Sequence, residues 1–551
     1  MDVKTGEQAK GLIEQMLGDR ANWETTWEKI AAVMAPSYSR MFQGERAEGE
    51  RVQAGVFDST AQEACEKLGR AIHTLLASPA TPWFNVRFED EELREDDEAR
   101  EWLEECNERM RDEMNNSGWD QAFSEVTLSL SAFAAAVPAI HAAPPPWEDA
   151  DPNGWYGLQV EAWPLYECVG LPSYNGTIQT VGRKLEMNKL QITQRFENLP
   201  PEVEKEDDPS KKWTVFYLTW PRRVPRPEGR VPGEKRPYGC MYVFETGFVL
   251  EDTGYYEQAV YMPRWTVRPG DIYGYGPGER AQPEATTLNE ARRLEMLAWE
   301  RAIDPPIWVM KNKVDGNVEN KARGITYVRD PQAIGDMPGQ TDFQPHMIEV
   351  EQSRRLIRDI FLYDQLELPR REDTGAMTAY EVQKRLEQAF KLLGPVIGRL
   401  QREVLSPAIQ RVFGLLLRGG QLPQPPAAVL QAQERQQVTI EYDSPLTRAQ
   451  RMDDVDAIDR WVQDSVALAG ALPEEQAMQM LDLVDLDEAQ RIRARRLGVP
   501  ESIIRNKQMV VEARERRQQQ QEAMMAIEMA RGAGEAGQAM AAANPEGGDE
   551  Q

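Results

Sequence analysis

Residues 285–306 read ATTLNEARRLEMLAWERAIDPP, a helical pattern that ends in two prolines. Its apolar positions recur every three or four residues, the repeat of one helix face, at Leu288, Ala291, Leu294 and Ala298. The helix must stop at Asp304-Pro305-Pro306, because proline lacks an amide hydrogen and disfavours helical backbone in the residue before it. The sequence therefore predicts a helix of about five turns over residues 285–304.

A compact non-helical module is predicted next, over residues 305–345, which are rich in Gly, Asn and Pro. It carries five basic residues: Lys311, Lys313, Lys321, Arg323 and Arg329. A second helix is predicted over residues 346–364, where Met347, Val350, Ile357 and Ile360 keep the helical repeat. Two helices of similar length that flank a small module can lie side by side, with the module projecting at one end.

A much longer helical pattern covers residues 377–418. Thr378 and Glu381 form a capping box at its start, and the three-or-four repeat then continues for about 60 Å of helix. Kinks or breaks are expected at Gly394-Pro395 and Ser406-Pro407, because proline removes a helical hydrogen bond.

The two ends of the chain have different patterns. Residues 1–284 begin with helices and change to short alternating strands that continue to about residue 270. Residues 419–500 read as helices after one short strand, Val438–Tyr442. Residues 501–551 lack core-building aromatics, and the last 20 or so are expected to be disordered. The predicted fold class is α+β.

Composition excludes several classes of protein. The chain has 64 Lys and Arg against 91 Asp and Glu, a net charge of −27, which is too acidic for one broad basic nucleic-acid face. No stretch approaches the 18 or more apolar residues of a membrane span, and the charged N-terminus is no secretory signal. The four well-separated cysteines are expected to be buried and reduced in the cytosol. The three histidines lack metal-ligand spacing, so no catalytic, metal or cofactor site is predicted.

A series of short phrases, taken together and in order, resembles the portal proteins, or head-to-tail connectors, of short-tailed bacteriophages of the podovirus type. They are the Trp-rich first helix ending in Pro36, Phe57-Asp58-Ser59-Thr60, Ser78-Pro79 with Pro82-Trp83-Phe84, Tyr275-Gly276-Pro277-Gly278 with Thr287-Leu288-Asn289, Asp304-Pro305-Pro306, Met377-Thr378-Ala379-Tyr380-Glu381-Val382, Gly394-Pro395 with Glu403 and Pro407, Ser444-Pro445-Leu446 with Ala449-Gln450, and Gly498-Val499-Pro500. The resemblance runs from about Arg20 to Arg517.

This resemblance implies an α+β portal fold that assembles as a ring, usually of twelve copies, at one capsid vertex. The implied parts are a mixed α/β wing (1–284), a two-helix stem (285–304 and 346–364), a small α/β clip (305–345), a channel or tunnel loop (365–376), a long bent wing helix (377–418), a helical crown (419–500) and a partly disordered C-terminal extension (501–551). Double-stranded DNA would pass through the axial channel during packaging and ejection.

The implied partners are the terminase large subunit, the major capsid and scaffolding proteins, tail adaptors and internal core proteins. The chain would be made in the host cytoplasm and reside in the virion at the portal vertex, with no membrane involved. The motor's ATPase is the terminase, so the chain itself is not expected to be an enzyme.

The candidate contact residues follow from the implied parts. Arg370 and Arg371 in the channel loop are candidates for DNA phosphate contact, and the alternative is a solvated turn in which they pair with Glu367, Glu372 and Asp373. The five clip residues could meet phosphate or dock terminase and tail adaptors, or simply confer solubility. The stem arginines could pair between subunits or contact DNA; they are Arg292, Arg293, Arg354, Arg355 and Arg358.

Two other classes of protein remain as alternatives. A metal-dependent nuclease would need clustered acids on strands, and the β-rich region shows no such cluster. A non-portal structural or scaffolding protein would favour long simple coiled coils, whereas this chain has 14 Trp and 37 Pro and changes its period repeatedly.

Overall fold

The structure is a computed structural model, and its helices and strands form two compact units. The first comprises Met1–Asn85 and Cys106–Pro423, and the second comprises Val86–Glu105 and Gln424–Gln551. The residues described are 3–38, 55–79, 82–145, 147, 151, 154–224, 230–303, 307–311, 313–315, 318, 327–336, 344–366, 392–431, 438–442, 455, 457–465, 467–468, 485–496, 499 and 509–525.

Helices and strands are mixed along the chain, which confirms the α+β class. The helices are α1 (Gly6–Met34), α2 (Thr60–Leu76), α3 (Glu91–Glu95), α4 (Asp97–Asn116), α5 (Trp119–Phe133), α6 (Lys189–Arg195), α7 (Pro201–Glu204), α8 (Pro277–Ile303), α9 (Gln344–Ile360), α10 (392–400), α11 (Ser406–Arg418), α12 (Ala427–Gln431), α13 (457–465), α14 (Leu486–Arg496) and α15 (509–525). The strands are β1 (Phe84–Phe88), β2 (Val137–Ala142), β3 (Leu158–Trp163), β4 (Cys168–Pro172), β5 (Ile178–Asn188), β6 (Lys212–Pro221), β7 (Tyr238–Phe244), β8 (Val249–Tyr255), β9 (Ile307–Val309), β10 (Val314–Asp315), β11 (Tyr327–Val328), β12 (Ile334–Asp336) and β13 (Val438–Tyr442).

The largest sheet lies in the first unit and is antiparallel, with strand order β4-β5-β6-β7-β8. Successive side chains of β6 point to opposite faces. Phe216 and Leu218 pack against Ile13 of α1, whereas Val215 packs against Ile192 of α6. The sheet is thus covered on both faces by helices, which fixes the body from which α8 and α9 extend.

The helix that the sequence predicts over residues 285–304 is α8, which begins eight residues earlier, at Pro277. The second predicted helix is α9. Between them, β9 pairs with β12 and β10 pairs with β11, both antiparallel. The described part of this module is therefore a pair of short two-stranded sheets.

The long predicted helix is described from residue 392 onward, and residues 377–391 lie outside the described ranges. At Gly394-Pro395, where a kink or break is predicted, the helix does not break, since residues 392–400 are helical as α10. A single π-helical turn, Gln401–Leu405, precedes α11 instead. Pro407 is the second residue of α11 and directly follows this π-helical turn.

The second unit contains the predicted strand Val438–Tyr442 as β13, which pairs with β1. Arg87 of β1 forms an ion pair with Glu441 of β13 at 3.2 Å. Further along, Arg514 of α15 binds Asp487 of α14 with two hydrogen bonds of 2.6 and 2.7 Å. This unit is mainly helical in its described parts.

The described structure also meets the expectation that the cysteines are buried. The four cysteines are buried and free, and burial raises the pKa of Cys65, Cys168 and Cys240 to about 12, which suppresses thiolate formation. Among the described helices, none combines the length and apolar composition needed to cross a membrane.

Candidate functional site

The two helices that flank the small module pack against each other, which confirms that they lie side by side. Between them, the Ser353 hydroxyl of α9 donates a hydrogen bond to the Glu284 carboxylate of α8. Val350, Ile357 and Phe361 are buried within the chain. The apolar stripe of the second helix is thus used largely for packing inside one subunit.

A buried carboxylate ties both helices to the segment that precedes α2. The Asp58 side chain is 4% exposed and accepts hydrogen bonds from Nη2 and Nε of Arg354, at 2.7 and 3.1 Å. It also accepts from the backbone nitrogen of Thr60 at 3.0 Å, and Nε of Arg292 lies 4.0 Å away. Arg354 belongs to α9 and Arg292 to α8, so one carboxylate holds three elements together.

Asn289 also connects α8 to the segment that precedes α2. Its Oδ1 accepts from the backbone nitrogens of Phe57 and Asp58, at 2.7 and 3.4 Å, and its Nδ2 donates to the Gly55 carbonyl at 2.8 Å. Two of the phrases that carry the family resemblance, Phe57-Asp58-Ser59-Thr60 and Thr287-Leu288-Asn289, therefore meet in space.

The hydrogen bonds and the positive charge around Asp58 together shift its pKa more than its burial does. Burial raises the pKa of this carboxyl, but hydrogen bonds from Thr60 and Arg354, with the positive charge of Arg354, bring the pKa below its ordinary value. The same pair raises the pKa of Arg354. The charged state of both groups is thus favoured by the fold.

We expect Asp58→Asn to lower the free energy of unfolding of the first unit by about 2 kcal/mol, because it removes the charge-assisted bonds to Arg354 and leaves that arginine only its longer pair with Glu351 at 3.8 Å. The folded-state pKa of Asp58 is lowered, so its stabilisation is present above about pH 4 and is lost as the pH falls through the folded-state value. The difference in melting temperature between wild type and variant should therefore shrink on acidification.

Glu290→Gln is the matched control, since Glu290 pairs with Arg293 on the solvent side of the same helix and exposed pairs contribute little. Equal losses of melting temperature in the two variants at pH 7 would contradict the special role of Asp58.

Three glycines let α8 start against the end of α5. A Cβ at Gly278 would collide with the Ala132 carbonyl oxygen, and a Cβ at Gly274 with the Ala134 carbonyl oxygen. A Cβ at Gly276 would lie 2.8 Å from the Ala134 Cβ. The glycine-rich phrase is therefore a close approach between two backbones.

All five stem arginines find partners within the chain. This is a third possibility, in addition to the predicted pairing between subunits or contact with DNA. Arg292 pairs with Glu295, Arg293 with Glu290, Arg354 with Asp58 and Arg355 with Glu351, while Arg358 lies 5.7 Å from the centre of the Tyr363 ring. Their charges are largely balanced locally.

Of the predicted contact residues, three lie in the described part of the module. Lys311 is exposed, Lys313 forms an ion pair with Asp330, and the exposed Arg329 donates its backbone N–H to the Lys313 carbonyl at 2.9 Å. Lys321 and Arg323 lie outside the described residues, as do Arg370 and Arg371. The structure therefore brings Lys313 and Arg329 together, next to the paired strands β10 and β11.

The largest feature that sequence reasoning missed is the exposed apolar surface of α8. Leu294, assigned to the packing stripe, is 52% exposed, and Trp299 and Ile303 are 52% and 84% exposed. Met296 and Leu297 are also exposed. Helical spacing signals an apolar face, but it does not say whether the same chain covers that face.

A buried ion pair was also missed. Nη2 of Arg264 lies 2.9 Å from a Glu403 carboxylate oxygen, and the two side chains are 3% and 6% exposed. Glu403 lies in the π-helical turn, where its carboxylate also accepts from the Arg264 backbone nitrogen at 3.0 Å. The sequence identified Glu403 only as part of a family phrase, because its partner is 139 residues away.

No group of three or more His, Cys, Asp and Glu within the described ranges is arranged to hold a metal ion. The site is thus a helix pair anchored by Asp58 and Asn289, with an exposed apolar surface on α8 and a small module of two-stranded sheets between the helices.

Sequence comparison relates the chain to known proteins. The model of the family described as bacteriophage head to tail connecting protein matches residues 6–504. The portal protein of Salmonella phage epsilon15 is 25% identical over 542 residues, which cover 95% of this chain and 92% of that protein. The probable portal protein of Bordetella phage BPP-1 is 26% identical over 539 residues, which cover 94% of this chain and 92% of that protein. The resemblance inferred from the short phrases is confirmed, and the chain belongs to the family of bacteriophage head to tail connecting proteins.

Proposed function

We propose that copies of this chain close into a ring, with twelve as the expected number, that forms the portal at one vertex of a phage capsid. Double-stranded DNA passes through the axial channel during packaging and ejection. The observation that carries this proposal is the exposed apolar surface of α8, considered together with the family to which the chain belongs.

The apolar side chains of α8 lie on two sides of the helix. At about 100° per residue, Leu294 and Leu297 are on one side, and Met296, Trp299 and Ile303 are on a side roughly 160° away. A subunit within a closed ring needs two different patches, one for each neighbour. Exposed apolar side chains on both sides of one helix meet that requirement and are covered only when the ring closes.

The charge of the chain suits a conduit. Twelve copies at −27 give 12 × −27 = −324, so an acidic lining would repel DNA phosphates and keep the duplex mobile near the axis. A broadly basic channel would instead hold DNA through counterion release. Local contacts are assigned to Arg370 and Arg371 of the channel loop, residues 365–376.

The module between α8 and α9 is the clip, at residues 305–345, and it docks the terminase and later the tail adaptors. Its basic residues Lys311, Lys313, Lys321, Arg323 and Arg329 supply charge for docking. Exposed apolar side chains lie beside them on β9 and β11, among them Val309, Tyr327 and Val328. Aromatic and apolar groups mixed with arginine are typical of protein interfaces.

The other parts follow the same assignment. The wing is residues 1–284 with the long helix 377–418, the stem is 285–304 and 346–364, the crown is 419–500 and the C-terminal extension is 501–551. Major capsid and scaffolding proteins would contact the outside of the ring, and internal core proteins its crown side.

Negative-stain electron microscopy of the purified chain, with native mass spectrometry to count subunits, tests the proposal. We expect closed rings of about a dozen copies with an axial hole. A compact monomer that cleaves DNA in a metal-dependent manner would overturn the conduit and support the nuclease. Long filaments without a channel would support a scaffolding protein.

A further inference from the structure

An arginine-lined pocket lies in the first unit, between α11 and the proline-rich stretch that follows β6. Its volume is about 190 Å³. Its lining comprises Arg230, Arg236, Gly254, Tyr255, Tyr256, Arg411, Leu415 and Arg418. Four guanidinium groups thus line a pocket in a chain whose net charge is strongly negative.

One carboxylate partly balances these charges. Glu257 accepts hydrogen bonds from Nη1 and Nη2 of Arg418, at 2.7 and 2.6 Å, and lies 3.8 Å from Nη1 of Arg411. Gly414 makes room for it, because a Cβ there would collide with the Glu257 carboxylate. One negative charge against four positive charges leaves the pocket cationic.

The arginines are held in place by aromatic rings and carbonyl groups. Arg411 stacks over Tyr255 at 4.8 Å, and Arg418 and Arg236 stack over Tyr256 at 4.5 and 5.1 Å. Arg411 is 2% exposed and donates to the carbonyls of Ile140 and Glu257. A pocket whose cations are fixed before binding loses little conformational entropy when it binds an anion.

Donor groups in the lining remain available. Arg236 donates through Nε and Nη1 to the carbonyls of Val231 and Gly254, and its Nη2 has no acceptor among the described residues. Within the same part of the chain, Nη2 of Arg411 likewise has no acceptor. Arg230 uses only Nη2, toward the Arg418 carbonyl at 3.1 Å.

We propose that this pocket binds a phosphate group. A phosphate presents tetrahedrally arranged oxygens that can accept from several arginine forks at once, and arginine is the side chain best suited to phosphate recognition. The group could belong to a DNA backbone or to a free phosphate compound, and both present the same oxygens. None of its lining residues belongs to α8, so variants of the pocket can be tested separately from ring closure.

The test uses the full-length protein and two probes, inorganic pyrophosphate by calorimetry and a short DNA duplex by fluorescence anisotropy. We expect Arg230→Ala combined with Arg236→Gln to weaken the binding of a probe at least tenfold. The slope of DNA affinity against salt should fall by about one, as for the loss of one phosphate contact. Arg230→Ala alone, which removes an exposed side chain, should show a smaller loss in the same direction.

Arg223→Ala is the matched control, because it removes an exposed arginine from the same stretch but outside the pocket lining. If the pocket variants, but not Arg223→Ala, bind both probes more weakly than wild type does, DNA is the source of the phosphate. If only the binding of pyrophosphate is weakened, the natural ligand is a free phosphate compound. The proposal is overturned if neither probe binds or if Arg223→Ala weakens binding as much as the pocket variants do. Electron microscopy of the same variants should show unchanged rings, which separates this site from the proposed assembly.

Discussion

Glu403→Gln is expected to destabilise the first unit by about 3 kcal/mol, because it leaves the Arg264 guanidinium buried without its counter-charge. Arg264 and Glu403 are both nearly inaccessible to water, and the carboxylate also accepts from Arg399 at 3.4 Å. Arg264 further donates to the carbonyls of Gly176 and Ile272, at 2.7 and 3.1 Å. One ion pair thus joins the π-helical turn before α11 to two loops of the β-rich region.

Hydrogen exchange is the suitable measurement, since it resolves stability segment by segment. Amides of α11 should exchange roughly 150-fold faster in Glu403→Gln, because each 1.4 kcal/mol corresponds to about a factor of ten. Glu167→Gln is the control: its 2.7 Å pair with Arg183 is about one fifth exposed on each side, so we expect a loss of at most about 1 kcal/mol. If both variants accelerated exchange to the same extent, the buried pair would not be what holds α11.

The repeat of apolar residues was sufficient to predict α8, α9 and the strand Val438–Tyr442, because such a repeat can be recognised within a short stretch of sequence. Helix starts were harder to place. The sequence has apolar residues from 285 onward, yet α8 starts at Pro277, where proline is well tolerated in a first helical turn. The repeat alone could not reveal this turn, because its residues are held by contact with the end of α5.

The anchoring of the site could not be read from the sequence, even though its residues were noticed. Asp58 and Arg354 are 296 positions apart, and Arg264 and Glu403 are 139 apart. No local rule relates such residues, and their charges alone are equally compatible with surface pairs. Likewise, the helical repeat included Leu294 in a packing stripe, whereas the structure leaves it half exposed. Only the tertiary arrangement separates a face that the chain buries from one that it presents to a partner.

The largest functional effect is expected from Trp299→Glu combined with Ile303→Glu, which should abolish ring formation and leave a folded monomer. About half of the Trp299 surface is exposed, roughly 100 Å², and covering it would contribute about 2.5 kcal/mol at each subunit contact. The variant removes this contribution and places two carboxylates where a neighbour would have to desolvate them. Because the same contact recurs around the ring, the loss applies to every interface at once.

Leu190→Glu is the matched control for this double variant, since Leu190 is a comparably exposed apolar residue on α6, away from α8. Native mass spectrometry should show monomers for the double variant and rings for the control, and circular dichroism should show wild-type helix content for both. We propose the α8 surface as the ring contact because its apolar side chains have no other cover in the described chain. Intact rings from the double variant would contradict this assignment and require the subunits to meet through a different surface.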